Sequence, residues 1–150
     1  MSPRNSMKHP FPRPAIYQVK IKRGTSGLGV FALQDIPQNK FIIEYWGKLM
    51  PDAKAQNIGG RYLFELGNGK TIDGATRKNI ARYINHACKP NAEVRIVGNR
   101  IYIFSCKKIK AGEEITYDYD TEYFDYFIKP HGCRCATCLK KTTKKKTPKK

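Results

Sequence analysis

Three thiols fall within six residues at Cys133-Arg134-Cys135-Ala136-Thr137-Cys138, a spacing that suits one metal ion. A tetrahedral zinc ion takes four ligands, with thiolate sulfur at about 2.3 Å, so the trio needs one more donor. Cys88 lies in the loop Ala87-Cys88-Lys89-Pro90-Asn91, Cys106 follows the alternating run Ile101, Ile103, Ser105, and His131 stands two residues before Cys133. All three are candidates on spacing. A small thiol in an alternating run is an ordinary strand residue, which is the plain reading of Cys106. A loop aims a ligand more freely, which favours Cys88. Four thiolates leave no open coordination position, so the ion is expected to be structural and to take no part in substrate chemistry.

A second group is built from tyrosine and glycine. Gly27-Leu28-Gly29 permits close approach of a ligand to main chain, although by itself Gly-x-Gly is equally a turn between two strands. His86, taken alone, is a satisfied core histidine before it is a base, and most of the nine tyrosines, such as Tyr102, are core or surface residues.

The chain that must position these groups has 150 residues, 40% of them hydrophobic, which is enough for one compact core. Its formal charge is +17, and residues 140–150 hold seven lysines and no acid, leaving +10 on the rest. Acidic partners such as nucleic acid, a nucleosome or another anionic surface are favoured by that balance, while fold is not. Met1-Ser2-Pro3-Arg4-Asn5 opens no apolar stretch of signal-peptide length, and no run approaches the ~20 apolar residues of a membrane span. A soluble, intracellular protein is expected, in which five cysteines favour metal ligation or free thiols over disulfides.

Pro3, Pro10, Pro12 and Pro14 mark residues 1–15 as a flexible basic arm. Alternation at Tyr17, Val19 and Ile21 predicts a strand stopped by Gly24-Thr25-Ser26-Gly27, with a second beginning near Val30. Phe41 to Trp46 and Tyr62 to Leu66 read as strands, the latter ended by Gly67-Asn68-Gly69. Pro51 to Gln56 predicts a helical turn or two ended by Gly59-Gly60, and Thr76 is expected to cap a helix from Arg77 to Ile84. Val94 to Val97, Gly98-Asn99 and Arg100 to Phe104 form a hairpin signature, and Ile115 to Tyr119 a further short strand. The fold class is mostly β.

The run Arg82-Tyr83-Ile84-Asn85-His86-Ala87-Cys88-Lys89-Pro90-Asn91, then Gly112-Glu113-Glu114-Ile115-Thr116-Tyr117-Asp118-Tyr119, then the cysteine trio, resembles the SET-domain protein lysine methyltransferases with a post-SET zinc segment. Gly27-Leu28-Gly29-Val30-Phe31-Ala32, Glu44-Tyr45-Trp46-Gly47 and Tyr62-Leu63-Phe64 match upstream in the same order. The resemblance implies a SET domain over residues 16–127, a post-SET zinc segment over 128–140 and a disordered lysine-rich tail over 141–150. It also implies small sheets with a C-terminal pseudoknot and a zinc-bound post-SET loop.

What the resemblance implies for chemistry is methyl transfer from S-adenosylmethionine to a lysine of a protein substrate, with a histone tail as the family expectation. Tyr119 is then the principal catalytic tyrosine, Tyr45 lines the lysine channel, and Tyr117 occupies a Phe/Tyr switch where tyrosine favours monomethylation. Gly27, Leu28, Gly29, Tyr62, Asn85 and His86 form the cofactor site, with Phe124 or Leu139 over the adenine. Cys88, Cys133, Cys135 and Cys138 become the zinc ligands. His86 is expected to contribute backbone contact and packing, and the Asn85 amide to brace the knot. Nucleus or chromatin is the implied location, with nucleic acid or nucleosome contact through the tail, no membrane, and no stated oligomeric state. Lys48 stands where many relatives place an acid, Tyr83 and Ala87 replace the common Phe and Ser, and no cysteine-rich segment is expected before the domain. A catalytically silent chromatin-binding module, a methyltransferase for non-histone proteins and a nucleic-acid-binding protein are the alternatives.

Overall fold

The computed structural model describes residues 11–119. Phe124, His131, Cys133, Cys135, Cys138, Leu139 and the lysine tail lie outside them, so the readings that rest on these residues are not described here.

Strands β1 (Val19–Gly24) and β2 (Gly27–Ala32) form an antiparallel hairpin, with Gly24 opposite Gly27 and Thr25-Ser26 between them. Gly27 has φ +92, a left-handed conformation that glycine adopts without strain. β1 alternates between half-buried Val19 and Ile21 and exposed Lys20 and Lys22, whereas Val30 and Ala32 of β2 are fully buried.

β3 (Phe41–Tyr45) is buried at all five residues, with both faces covered, so a continuous apolar and aromatic run replaces alternation there. β4 (Lys48–Pro51) follows, then helix α1 (Asp52–Ile58), whose end is set by Gly59 at φ +67 donating back to the Ala55 carbonyl at 3.0 Å. Its first residue, Asp52, accepts the Thr71 hydroxyl at 2.6 Å and faces the positive end of the helix dipole.

β5 (Leu63–Glu65) and β6 (Lys70–Asp73) make the next hairpin. β7 is only Asn85–His86, β8 (Ala92–Val97) and β9 (Arg100–Ser105) pair across Gly98-Asn99, and β10 spans Glu114–Tyr117. Three small sheets result, in the orders β1-β2-β10-β7, β3-β9-β8 and β4-β6-β5.

The helix expected from Arg77 to Ile84 is instead a single 3-10 turn over Ile80–Tyr83. Asn79 precedes that turn, and its side chain is spent elsewhere. Its amide donates to the Gly74 carbonyl at 3.1 Å, and its oxygen accepts the Trp46 amide at 3.3 Å. Ile84 is already extended, and the chain passes directly into β7, which pairs in parallel with β10. The strand expected over Ile115 to Tyr119 starts one residue earlier and ends at Tyr117.

The sheets share a core in which Ile36, Ile42, Ile84, Ile101, Ile103, Ile109 and Ile115 are all fully buried. Removing one such side chain from water stabilises the fold by about 1.5–3 kcal/mol. Ile36 and Ile109 also exchange backbone hydrogen bonds at 2.7 and 2.9 Å, tying the segment after β2 to the one before β10.

Glu44 is a buried carboxylate in the middle of β3. Arg100 meets it from β9 with two hydrogen bonds, at 2.9 and 2.6 Å, and the Arg13 amide supplies a third at 2.7 Å. Burial at 1% exposure makes that partnership obligatory. Arg13 also stacks on Phe41 and Phe11 packs edge-on against Trp46, so residues 11–13 lie across the β3–β9 face.

Candidate active site

Tyr45 ends β3 and is almost completely buried. Its hydroxyl donates to the Tyr62 carbonyl at 2.6 Å, and its ring tilts against Phe64 at 5.4 Å between centroids. Two glycines admit this arrangement. A Cβ on Gly74 would sit 2.5 Å from Tyr45 ring atoms, and one on Gly47 would fall 1.9 Å from the Asp73 carbonyl oxygen. Only a residue without a side chain lets the exit of β3 and the end of β6 approach so closely.

Tyr117 and Tyr119 stand at the end of β10, with ring centroids 5.0 Å apart. The Tyr119 hydroxyl donates to the Ile84 carbonyl at 2.6 Å. Tyr45 and Tyr117 belong to the hydrophobic core and Phe64, Tyr83 and Tyr119 pack against it, so aromatic residues distant in sequence share that core. A phenol whose proton is engaged by a carbonyl keeps its oxygen lone pairs as acceptors. Two such oxygens suit a ligand that brings N–H donors, such as an amine.

His86 joins this region through its ring. Nδ1 accepts the Tyr119 backbone N–H at 3.0 Å, which places the ring proton on Nε2, and Nε2 faces the Cys88 sulfur at 3.4 Å. Burial pushes the imidazole below its ordinary pKa, opposed by the carboxylate of Asp118, 3.4 Å from Nδ1. Desolvation is the larger of the two effects. Cys88 is exposed on its loop.

β10 lies between β2 and β7, and the Asn85 side chain of β7 reaches across to Leu28 of β2. The Asn85 amide bridges the gap, donating to the Leu28 carbonyl at 2.9 Å and to the Glu114 carboxylate at 2.8 Å. A Cβ on Gly29 would fall 2.2 Å from Glu114 Oε1, so the glycine makes room for that carboxylate. At Gly27 the corresponding space is open, and Leu28 beside it is a large exposed apolar residue. An open cradle with main chain on one side, an apolar side chain and an amide oxygen fits the mixed polar and apolar surface of S-adenosylmethionine.

Tyr62 stands in a different group. Its carbonyl holds Tyr45, and its ring lies under the Arg82 guanidinium, 4.0 Å from the centroid. Contact with Tyr62 raises the Arg82 pKa further above its ordinary value. Arg82 Nε is buried with no hydrogen-bond partner among the described residues.

Asn79 was not singled out by sequence, and Arg82, Asn91 and Glu114 were quoted there only as motif members with no role assigned. Asn91 donates to the Glu114 carbonyl at 2.8 Å and accepts the Thr116 amide at 2.9 Å, fixing β10 from the loop after Cys88. Its signal was present, an Asn directly after Pro90 in a loop. Glu114 carried no signal that separates it from its neighbour Glu113 until the β10 register is known.

A family model described as SET domain matches residues 27–120. The histone-lysine N-methyltransferase, H3 lysine-4 specific, of Schizosaccharomyces pombe is 40% identical over 105 residues, covering 61% of this chain and 11% of its own. The histone-lysine N-methyltransferase, H3 lysine-36 specific, of Candida albicans is 34% identical over 133 residues, covering 80% of this chain and 16% of its own. A solved structure, a humanized mutant of the Chaetomium thermophilum Polycomb Repressive Complex 2 bound to the inhibitor GSK126, aligns with TM-score 0.62 at 33% identity over 71% of this chain and 15% of that one. The chain thus spans well under a fifth of the curated relatives' length.

Proposed function

Because the chain belongs to the SET-domain family, we propose that it is a protein-lysine N-methyltransferase that uses S-adenosylmethionine, acts on histone tails and favours monomethylation. The observation that carries this reading is the pair of tyrosine hydroxyls, Tyr45 and Tyr119, each donating its proton to a backbone carbonyl at 2.6 Å. Held this way, both oxygens present acceptors to the N–H bonds of a lysine amine and leave its lone pair to point along the channel. Proximity and alignment of this kind are the main resource for an in-line displacement. The aromatic rings of Tyr45, Phe64, Tyr117 and Tyr119 exclude water from the same space.

S-adenosylmethionine supplies an electrophilic methyl on a sulfonium, whose charge also disfavours a protonated amine nearby. Gly27, Leu28, Gly29, Asn85 and His86 would hold it, with Phe124 or Leu139 over the adenine. Tyr117 narrows the acceptor end of the channel with a hydroxyl where phenylalanine would leave room for more methyl groups. Tyr62 braces Tyr45.

Zinc belongs to the same reading. Cys88 would ligate it with Cys133, Cys135 and Cys138, and the exposed Cys88 loop leaves its sulfur accessible to such partners. The Nε2–H of His86 would then support the thiolate from behind. The ion would act through folding and closure of the segment after residue 119.

The relatives' names specify different lysines, H3 lysine-4 in one and H3 lysine-36 in the other, so the site on the histone is not inherited from the family. Selectivity is assigned to the edges around residues 57–66 and 95–102. These include β5 and β8, the outer strands of their sheets, and Asn68 links the two hairpin tips to Asn99 at 3.0 Å. Nucleus or chromatin is the corresponding location, and the lysine tail is assigned non-specific contact with nucleosomal DNA.

The test is incubation of the chain with S-adenosylmethionine and recombinant histones and nucleosomes, read by mass spectrometry. Addition of about 14 Da to a lysine supports the reading. Full cofactor binding without transfer to any protein favours a silent module.

A further inference from the structure

Glu114 is half-buried at the start of β10, opposite Phe31 of β2, and is held at both ends. Its backbone carbonyl accepts the Asn91 amide at 2.8 Å, and its side-chain Oε1 accepts the Asn85 amide at 2.8 Å. Asn85 Nδ2 has a second acceptor, the Leu28 carbonyl at 2.9 Å.

The chemistry of these neighbours decides which way the Asn85 amide faces. A backbone carbonyl and a carboxylate are acceptors only, so both require the NH2 group and neither tolerates the amide oxygen. With both protons of Nδ2 engaged, Oδ1 is turned to the opposite side. Among the described residues no group donates to it. Resting on the methyltransferase reading, we infer that Glu114 is a positioning residue for the cofactor: it locks the Asn85 amide so that Oδ1 is presented as an acceptor to the N–H or O–H groups of S-adenosylmethionine.

Gly29 bears on the same point independently. Its Cβ would lie 2.2 Å from Glu114 Oε1 and 3.0 Å from Asn85 Nδ2, so a side chain there is incompatible with the locked pair. A side chain at Gly29 would therefore displace the Glu114 carboxylate, whereas the space around Gly27 is open. Without the carboxylate, the Leu28 carbonyl alone engages one proton of Nδ2, and the amide is freer to rotate.

Glu114→Gln and Glu114→Ala separate the acceptor from the rest of the side chain, because glutamine retains an oxygen that can take the Asn85 proton. Binding of S-adenosylhomocysteine to the full chain is measured by calorimetry, with melting temperature and peptide KM alongside. The expected result for Glu114→Ala is an affinity loss of about tenfold, the scale of one hydrogen bond to a charged group, with peptide KM unchanged. Glu114→Gln should stay within about threefold of the unaltered chain. Unaltered affinity in Glu114→Ala overturns the inference. So does a Glu114→Gln as weak as Glu114→Ala, since charge and not acceptor geometry would then be responsible.

A ligand-free measurement keeps the inference distinct from the functional reading. The Asn85 side-chain amide signals in a 1H–15N spectrum should shift and narrow their separation in Glu114→Ala, while those of Asn91 remain. Unshifted Asn85 signals overturn the locking whatever the protein binds. Failure of the unaltered chain to bind S-adenosylhomocysteine would instead sink the methyltransferase reading.

Discussion

The two halves of the site are held by different means. In the cradle formed by β2, β10 and β7, side-chain amides and a carboxylate do the holding, and Gly29 leaves space for a flexible side chain. In the aromatic region the polar ends of tyrosines are tied to backbone carbonyls, and Gly74 leaves space for a rigid ring. In the cradle a ligand would meet side chains fixed by other side chains. In the aromatic region the fixing groups are main-chain carbonyls and packed rings.

The largest expected effect is one that removes the distinction altogether. Arg100→Ala leaves Glu44 buried without its ion pair in the strand that carries Tyr45, and breaking such a pair costs about 3–5 kcal/mol. Cofactor binding and transfer should fall together with thermal stability. If calorimetry found the cradle intact in a protein whose transfer was gone, the two halves would be independent folding units.

Tyr119→Phe is expected to divide them. Loss of the hydroxyl that donates to Ile84 should lower kcat by about 100-fold, the scale of a misaligned reacting pair, with S-adenosylhomocysteine affinity unchanged. Equal losses in kcat and cofactor affinity would erase the boundary between the regions.

Paired glycine substitutions probe the difference in rigidity. Gly74→Ala meets the Tyr45 ring at 2.5 Å, and overpacking of that kind costs about 1–3 kcal/mol in a thermal melt. Gly29→Ala meets only the end of the Glu114 side chain, which can rotate aside, so its melting temperature should drop less while cofactor affinity drops more. The reverse ranking would show that the cradle is the stiffer half.

The smallest effect is expected within the aromatic region. Tyr117→Phe should raise the ratio of di- to monomethylated product several-fold, a difference of about 1 kcal/mol between competing barriers, and intact-mass analysis of the peptide reads it directly. An unchanged ratio would remove Tyr117 from control of product state.

Sequence alone reached the aromatic region more completely than the cradle. Tyr45 and Tyr117 lie in strands that strand composition predicts and are buried there, whereas Tyr119 falls two residues past the end of β10 and is half-buried. The hairpin at Gly98-Asn99 was equally legible, because the turn residues sit between the runs that pair, whereas the strand expected to begin near Val30 already begins at Gly27. The parallel pairing of Asn85–His86 with β10 was not, since two residues carry no periodicity and their partners come some thirty positions later. The Glu114 carboxylate beside Gly29 becomes its neighbour only once β10 pairs with β2, which the sequence around Gly29 does not show. The helix expected after Thr76 failed for a related reason. Asn79 uses its side chain to join Trp46 and Gly74, a tertiary demand that local propensity does not record.

The single tryptophan of the chain, Trp46, stands where these parts meet. It directly follows Tyr45 of β3, its amide is held by Asn79, and its indole is flanked edge-on by Phe11 at 6.1 Å. The protein therefore carries a built-in optical reporter at the seam between its N-terminal segment and its site. Emission from that one indole senses lifting of Phe11 from the sheet as a local event and loss of the β3 register as a global one, without any label being added.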